Sequence, residues 1–169
     1  YISTCGLFGD EVRAYSEYDP VVLKTAYARS KYEGEIAVRE CAARHYIVRP
    51  GWLFGGDPAH RKNFVARRYE EAQANPVVRS ANDKLGSPTY TGDLANRILE
   101  IAATSAYGTY HVANGGGATR VEYVRQILTC FGVTTTVEEV DSSYYPRKAD
   151  VPGCEILETR NCEYLGLPE

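Results

Sequence analysis

Apolar residues recur at positions 22, 23, 26, 27, 37, 38, 41 and 42, with polar residues between them. This is mainly a helical period and predicts a helix from about Val22 to Ala43, with Gly34 as a tolerated interruption. Upstream, Tyr1-Ile2-Ser3-Thr4 has the β-branched and aromatic character of a strand end, and 5–21 is a loop carrying Gly6, Gly9 and the turn pair Asp19-Pro20. Downstream, Tyr46-Ile47-Val48, ended by Arg49-Pro50-Gly51, reads as a strand feeding a loop over 51–62. A helix from about Asn63 to Ala74 stops before Pro76, Val77-Val78 is a brief strand, and 81–90 is loop.

Thr91 or Asp93 then caps a helix to about Thr104, and Thr109 to Ala113 alternates as a strand does. Thr119-Arg120-Val121-Glu122 has the spacing of a capping box and opens a helix to about Phe131. Thr134 to Val140 is a last strand, and 141–169 is irregular with a short helical turn near Asn161–Leu165. Strands alternating with helices of ten or more residues predict an α/β fold with parallel strands. The loop-rich second half reads as an appendage to the sheet, not as an independent domain.

Composition narrows the class. Of 169 residues, 44% are apolar and 24% charged, enough for one domain with a real core. The net charge of −3 comes from interspersed charges, with no basic run to suit nucleic acid or an anionic membrane. No apolar segment approaches the roughly 18 residues of a spanning helix, and no leader pattern opens the chain. The five cysteines are odd in number and lack a Cys-x-x-Cys pair, so they read as reduced thiols of a cytoplasmic protein. Methionine is absent, the chain opens inside a strand, and it stops just after a short helix. An internal piece of a larger protein is the expectation.

The strongest chemical pattern is Tyr27-Ala28-Arg29-Ser30-Lys31. On a helix, i and i+4 share a face, so phenol and ammonium project the same way. A free phenol is a poor acid–base group near neutrality, but a nearby cation favours phenolate, which makes such a pair a sensible proton donor. With 14 Tyr in the chain, chance alone also supplies the spacing. Ser3 or Thr4 could add a hydroxyl that orients a carbonyl.

Other patterns are weaker. His45, His60 and His111 are far apart, and Cys41 with His45 at i, i+4 gives two ligands at most, so no metal site is expected. Cys5 has no base paired with it and reads as a small buried residue. Gly115-Gly116-Gly117 reads as a strand-to-helix turn. Tyr144-Tyr145-Pro146-Arg147 reads either as a lid over a ligand or as an aromatic anchor for the tail.

The order of these patterns is informative. Tyr1-Ile2-Ser3-Thr4, Tyr27-Ala28-Arg29-Ser30-Lys31 with Gly34-Glu35, and Tyr46-Ile47-Val48-Arg49-Pro50-Gly51-Trp52-Leu53-Phe54-Gly55 come first. Asn63-Phe64-Val65, Gly86-Ser87-Pro88-Thr89-Tyr90 with Asp93-Leu94-Ala95, and Gly108-Thr109-Tyr110-His111-Val112-Ala113-Asn114 follow. Together they resemble the extended short-chain dehydrogenase/reductases, in their dTDP-4-dehydrorhamnose reductase branch.

The resemblance implies the second half of a Rossmann-type, doubly wound parallel sheet with a C-terminal substrate-binding region. Residues 1–50 would be the catalytic half of the sheet, and 51–169 a sugar-nucleotide-binding region interleaved with the last strands. It implies reduction of a nucleotide-linked 4-keto-6-deoxy sugar, with NADPH or NADH as cofactor and no metal. Tyr27 would protonate the carbonyl oxygen, Thr4 would hydrogen-bond it, and Lys31 would hold the nicotinamide ribose. Ser3, Arg49, Pro50 and Gly51 would belong to the cofactor pocket. Trp52 would reach toward the sugar and Asn63 would sit near the diphosphate, at a helix start that favours anions. A homodimer is open as the assembly.

Two departures from the branch matter. Cys5-Gly6-Leu7-Phe8 stands where the branch commonly has Asp-Tyr-Val-Phe. The G-x-x-G-x-x-G fingerprint is absent, so about 100 residues of upstream βα units are expected to be missing, and this stretch alone should not bind the cofactor's pyrophosphate. Two alternatives stay open: an epimerase or dehydratase of the same superfamily, or a non-catalytic cofactor-binding regulatory subunit. A dehydratase would want an acid–base pair where Cys5-Gly6 sits, and a regulator has no need of both Tyr27 and Lys31.

Overall fold

The computed structural model describes residues 1–167. The first helix, α1 (Ala26–Cys41), starts four residues later than the apolar period suggests. Leu23 has a positive φ of 53°, which turns the chain sharply, and the Thr25 hydroxyl accepts the Ala28 N–H at 2.9 Å to cap the helix. Gly34 has a packing reason: a Cβ there would collide with the Tyr1 phenol, which lies on the helix. His45 falls beyond the end of α1, its Nδ1 2.6 Å from the Ala42 carbonyl, so it does not share a helix face with Cys41.

Strand β1 (Tyr46–Pro50) runs parallel to the opening segment, with Ser3 N–H donating to the Val48 carbonyl and Cys5 N–H to that of Pro50. On its other side lies β6 (Gly108–Val112), in parallel register from Tyr46 opposite Gly108 to Pro50 opposite Val112. Successive strand residues face opposite ways, and here the two faces carry different helices. Val48, Tyr110 and Val112 pack on Leu94 and Ile101 of α3 (Thr91–Ala103), with Cys162 of α5 (Arg160–Tyr164). Arg49 points the other way, to Glu35 of α1. The sheet is thus covered on both sides, as a doubly wound α/β fold requires.

The remaining strands form small neighbouring sheets. β2 (Trp52–Phe54) pairs in parallel with β5 (Pro88–Tyr90), and β3 (Val77–Ala81) with β8 (Thr136–Val140). β4 (Leu85–Gly86) lies between antiparallel β7 (Ala118–Thr119) and parallel β9 (Cys154–Glu155). Helices α2 (Phe64–Ala74) and α4 (Arg120–Cys130) pack around Val78 through Ala72, Val124 and Leu128. The loop expected over 81–90 therefore contains two strands, and the irregular tail contains a third. Each is two or three residues long, too short to display an alternating pattern.

Two of the three predicted caps hold. The Asn63 side chain accepts the Ala66 N–H, and Thr119 with Glu122 forms the reciprocal box. Thr91 does not cap α3: Tyr90 occupies the cap position without a side-chain bond. Tyr145 donates to the Arg79 carbonyl at 2.7 Å and the Arg79 guanidinium lies over Tyr144, so this pair anchors the tail to β3. Among the described residues no helix is long and apolar enough to cross a membrane.

Candidate active site

The crossover from segment 1–4 through α1 to β1 sets the site's position. It leaves the C-terminal end of one parallel strand and returns to the N-terminal end of the next. The first turn of α1, with Tyr27, therefore lies at the carboxyl side of the sheet, where α/β folds bind ligands. Tyr27 is 59% exposed, and its hydroxyl has no hydrogen-bond partner among the described residues. One turn on, Lys31 donates from Nζ to the Ile2 carbonyl at 2.5 Å and lies over the Tyr1 ring. Lys31 is thereby fastened two residues from Thr4.

Thr4 is buried, and its Oγ1 accepts the Gly6 N–H at 3.1 Å. A hydroxyl that accepts from the backbone keeps its own hydrogen to donate. Thr4 can therefore point a donor at a carbonyl oxygen. Ser3 is buried as well, and its Oγ has no hydrogen-bond partner among the described residues.

Arg49 stands behind the site. It is buried, and it meets the fully buried Glu35 through two bonds, Nε to Oε1 at 2.8 Å and Nη2 to Oε2 at 2.7 Å. Arg39 adds a third at 2.8 Å. Burial works to raise the Glu35 carboxyl, but the bonds from Arg49, and with them that from Arg39, outweigh it and hold it below its usual value. The Arg49 Nε and Nη2 are thus committed to a strut between α1 and β1, while its buried Nη1 has no partner among the described residues. Gly51 is needed for close approach: a Cβ would strike the Ser87 carbonyl and Thr89 hydroxyl of the neighbouring segment.

Trp52 departs from the expectation of an open indole face. It is buried, and its Nε1 donates to Glu155 Oε2 at 2.7 Å. Gly86 lies against one face so closely that a Cβ would enter the ring, and the Arg120 guanidinium lies 3.3 Å from the ring centroid. Both cannot occupy one face, so the indole is sandwiched. Its stacking surface is spent inside the protein.

The other Glu155 oxygen lies 3.7 Å from the Cys5 sulfur. Burial first, then the Glu155 charge, push the Cys5 thiol well above its usual range, so it stays a protonated donor. A carboxylate thus stands beside Cys5-Gly6, but both of its oxygens are accepting bonds. Asn63 is similarly occupied: Oδ1 caps α2, and Nδ2 donates to the Gly55 and Asp57 carbonyls.

His111 is fully buried, with the Tyr15 and Glu158 carbonyls 3.1 and 3.0 Å from Nδ1. Two acceptors at one ring nitrogen require that it carry the proton. Burial lowers its pKa to about 3, so it ties loop and tail together as a neutral ring.

Sequence reasoning missed Glu155 and Arg120. Glu155 lies in a tail with no periodicity, 150 residues from Cys5 along the chain. Arg120 looked like the first residue of a capped helix and nothing more. Glu35 enters the sequence pattern only as part of the Gly34-Glu35 motif.

Comparisons with known proteins follow the same lines. The model of the family described as "RmlD substrate binding domain" matches residues 1–168. The chain is 32% identical to the spore coat polysaccharide biosynthesis protein SpsK of Bacillus subtilis, covering 99% of this chain and 58% of that protein. It is 33% identical to a dTDP-4-dehydrorhamnose reductase of Mycolicibacterium smegmatis, covering 99% of this chain and 52% of the relative. The crystal structure of a dTDP-4-dehydrorhamnose reductase from Bacillus anthracis in complex with NADP superposes with a TM-score of 0.94 at 31% identity. That match covers 100% of this chain and 59% of the other. The chain thus spans a little over half the length of these relatives.

Proposed function

The chain belongs to the RmlD substrate binding domain family, and from that premise we propose that its protein reduces a nucleotide-linked 4-keto-6-deoxy sugar with NADPH or NADH. The observation that carries this reading is Lys31 tethered to Ile2 beside Thr4, with Tyr27 open on the same helix face. The residues present fit a nicotinamide cofactor: a phenol and an ammonium one turn apart on α1, the ammonium fastened two residues before the Thr4 hydroxyl, at the carboxyl edge of a parallel sheet. The cofactor, when bound, supplies the hydride. Tyr27 and Lys31 would hold its ribose, and Pro50 and Gly51 would line its ring.

The chain's own groups handle the carbonyl oxygen. Thr4 donates its free hydrogen to that oxygen and orients the carbonyl. Tyr27 delivers the proton as negative charge develops there, which makes it the general acid. Lys31, one turn away and tethered to the Ile2 carbonyl, presents its positive charge on the same helix face. Arg49 acts through Glu35, fixing the helix that carries Tyr27 against the strand that leads to Gly51.

Substrate-dependent oxidation of NADPH by the full-length protein tests the reading, with dTDP-4-keto-6-deoxy sugars as substrates. Tyr27→Phe should lower kcat by about 100-fold or more, the range for loss of a positioned acid. A wild-type protein that binds cofactor yet oxidises none of it would favour the regulatory subunit instead.

A further inference from the structure

Arg120 is a charged residue beside the site that the reductase reading leaves unused. It is the first residue of α4, but the helix end is not what makes it notable, since Thr119 and Glu122 already cap that end. Its guanidinium carbon lies over the Trp52 ring, 3.3 Å from the centroid, and 5.4 Å from that of Phe64. Among the described residues it makes no ion pair and no side-chain hydrogen bond. Burial lowers its pKa to about 10, Glu155 opposes that, and the Arg147 charge adds to it.

A stacked guanidinium keeps its five N–H donors along the edge of the plane, where a phosphate can be met bidentately. The stack fixes that plane before any ligand arrives, because the indole cannot turn. Gly86 blocks one face, and Glu155 holds the ring nitrogen. The half-buried guanidinium is screened by aromatic rings and stays unsatisfied, a costly state for a cation unless an anion completes it. Phe64, under the same guanidinium, follows Asn63, whose amide is spent on its own helix cap. The anion-holding role expected of Asn63 therefore has a better-placed candidate across the gap.

We propose that Arg120, presented on the Trp52–Glu155 platform, is the residue that grips the diphosphate of the nucleotide-sugar substrate. This rests on the reductase reading and deepens it. Arg120 is a binding residue; Trp52 and Glu155 position it.

The test measures calorimetric affinities of the full-length protein for thymidine 5′-diphosphate and for thymidine. These are set beside steady-state kinetics on the 4-keto sugar nucleotide. Arg120→Met keeps the packing length and removes the charge. It should weaken diphosphate binding about tenfold or more, the worth of a charge-assisted hydrogen bond, while thymidine binds as before. KM should rise by a similar factor with kcat within about twofold, the signature of lost uniform binding. Arg120→Lys should recover part of the affinity, and Arg120→Gln carries the same comparison should the Met variant fail to fold.

Unchanged diphosphate affinity in Arg120→Met overturns the inference and leaves the reductase reading standing. An equal loss of thymidine affinity also overturns it, because the arginine would then only be propping the platform. A wild-type protein that binds no diphosphate overturns it too. Arg120-dependent diphosphate binding without turnover of any 4-keto sugar would sink the reductase reading and leave the diphosphate site in place.

Discussion

Glu35 and Arg49 are charged residues that a helix and a strand bury between them, and the pair shows what a single residue's environment does to its chemistry. Glu35 is fully buried and takes bonds from Arg49 and Arg39. A carboxyl held below its ordinary value of 4.5 binds fewer protons folded than unfolded in acid. Its stabilisation is therefore complete above about pH 4.5 and drains away as pH falls through the lowered folded value. Glu35→Gln should cost about 3 kcal/mol at neutral pH, because Arg49 keeps a buried charge without its counter-ion. Urea unfolding of wild type and variant across pH should show the gap narrowing in acid. A constant gap would mean that the variant's cost is steric.

Elements obey more local rules. Helix α4 starts with a complete capping box, Thr119 and Glu122 each bonding the other's backbone, whereas α3 starts at Tyr90 with no side-chain bond at all. Thr119→Ala should therefore cost about 1 kcal/mol, read as a lower urea midpoint with unchanged slope. Thr91→Ala, at the helix start that sequence reasoning expected to be capped, should not cost a cap. The same locality explains what could be read without a structure. Helical period, caps and breakers lie within a few residues of one another, so α2, α3 and α4 were legible almost to their ends and α1 to within four residues. The short strands β4, β5 and β9 were not, because a two- or three-residue strand exists only through a partner far along the chain.

At the scale of the whole molecule, the platform beside the site joins distant segments: Trp52 of β2, Gly86 of β4, Arg120 of α4 and Glu155 of β9. A single methyl group should disturb all of them. Gly86→Ala would press a Cβ into the indole; overpacking of this kind costs about 1–3 kcal/mol. Displacing Trp52 would also unseat Arg120, so the variant should melt at lower temperature and show a raised KM for the nucleotide sugar. A variant that melts lower with an unchanged KM would separate the indole from substrate binding.

The sequence by itself determined the α/β class, the helix that carries Tyr27 and Lys31 on one face, and the family likeness in which that pair gains meaning. Those features depend on spacing within a helical turn and on the order of short motifs, which the linear chain contains in full. The tertiary structure decided which side chains remain free to act. It turned Arg49 to a buried carboxylate, closed both faces of Trp52, spent Asn63 on its helix and seated Arg120 over the indole with no ion pair among the described residues. The physical reason is that a polar side chain's availability depends on which partner reaches it first. Those partners, here Glu35, Gly86 and Glu155, are brought within reach only by the folded chain.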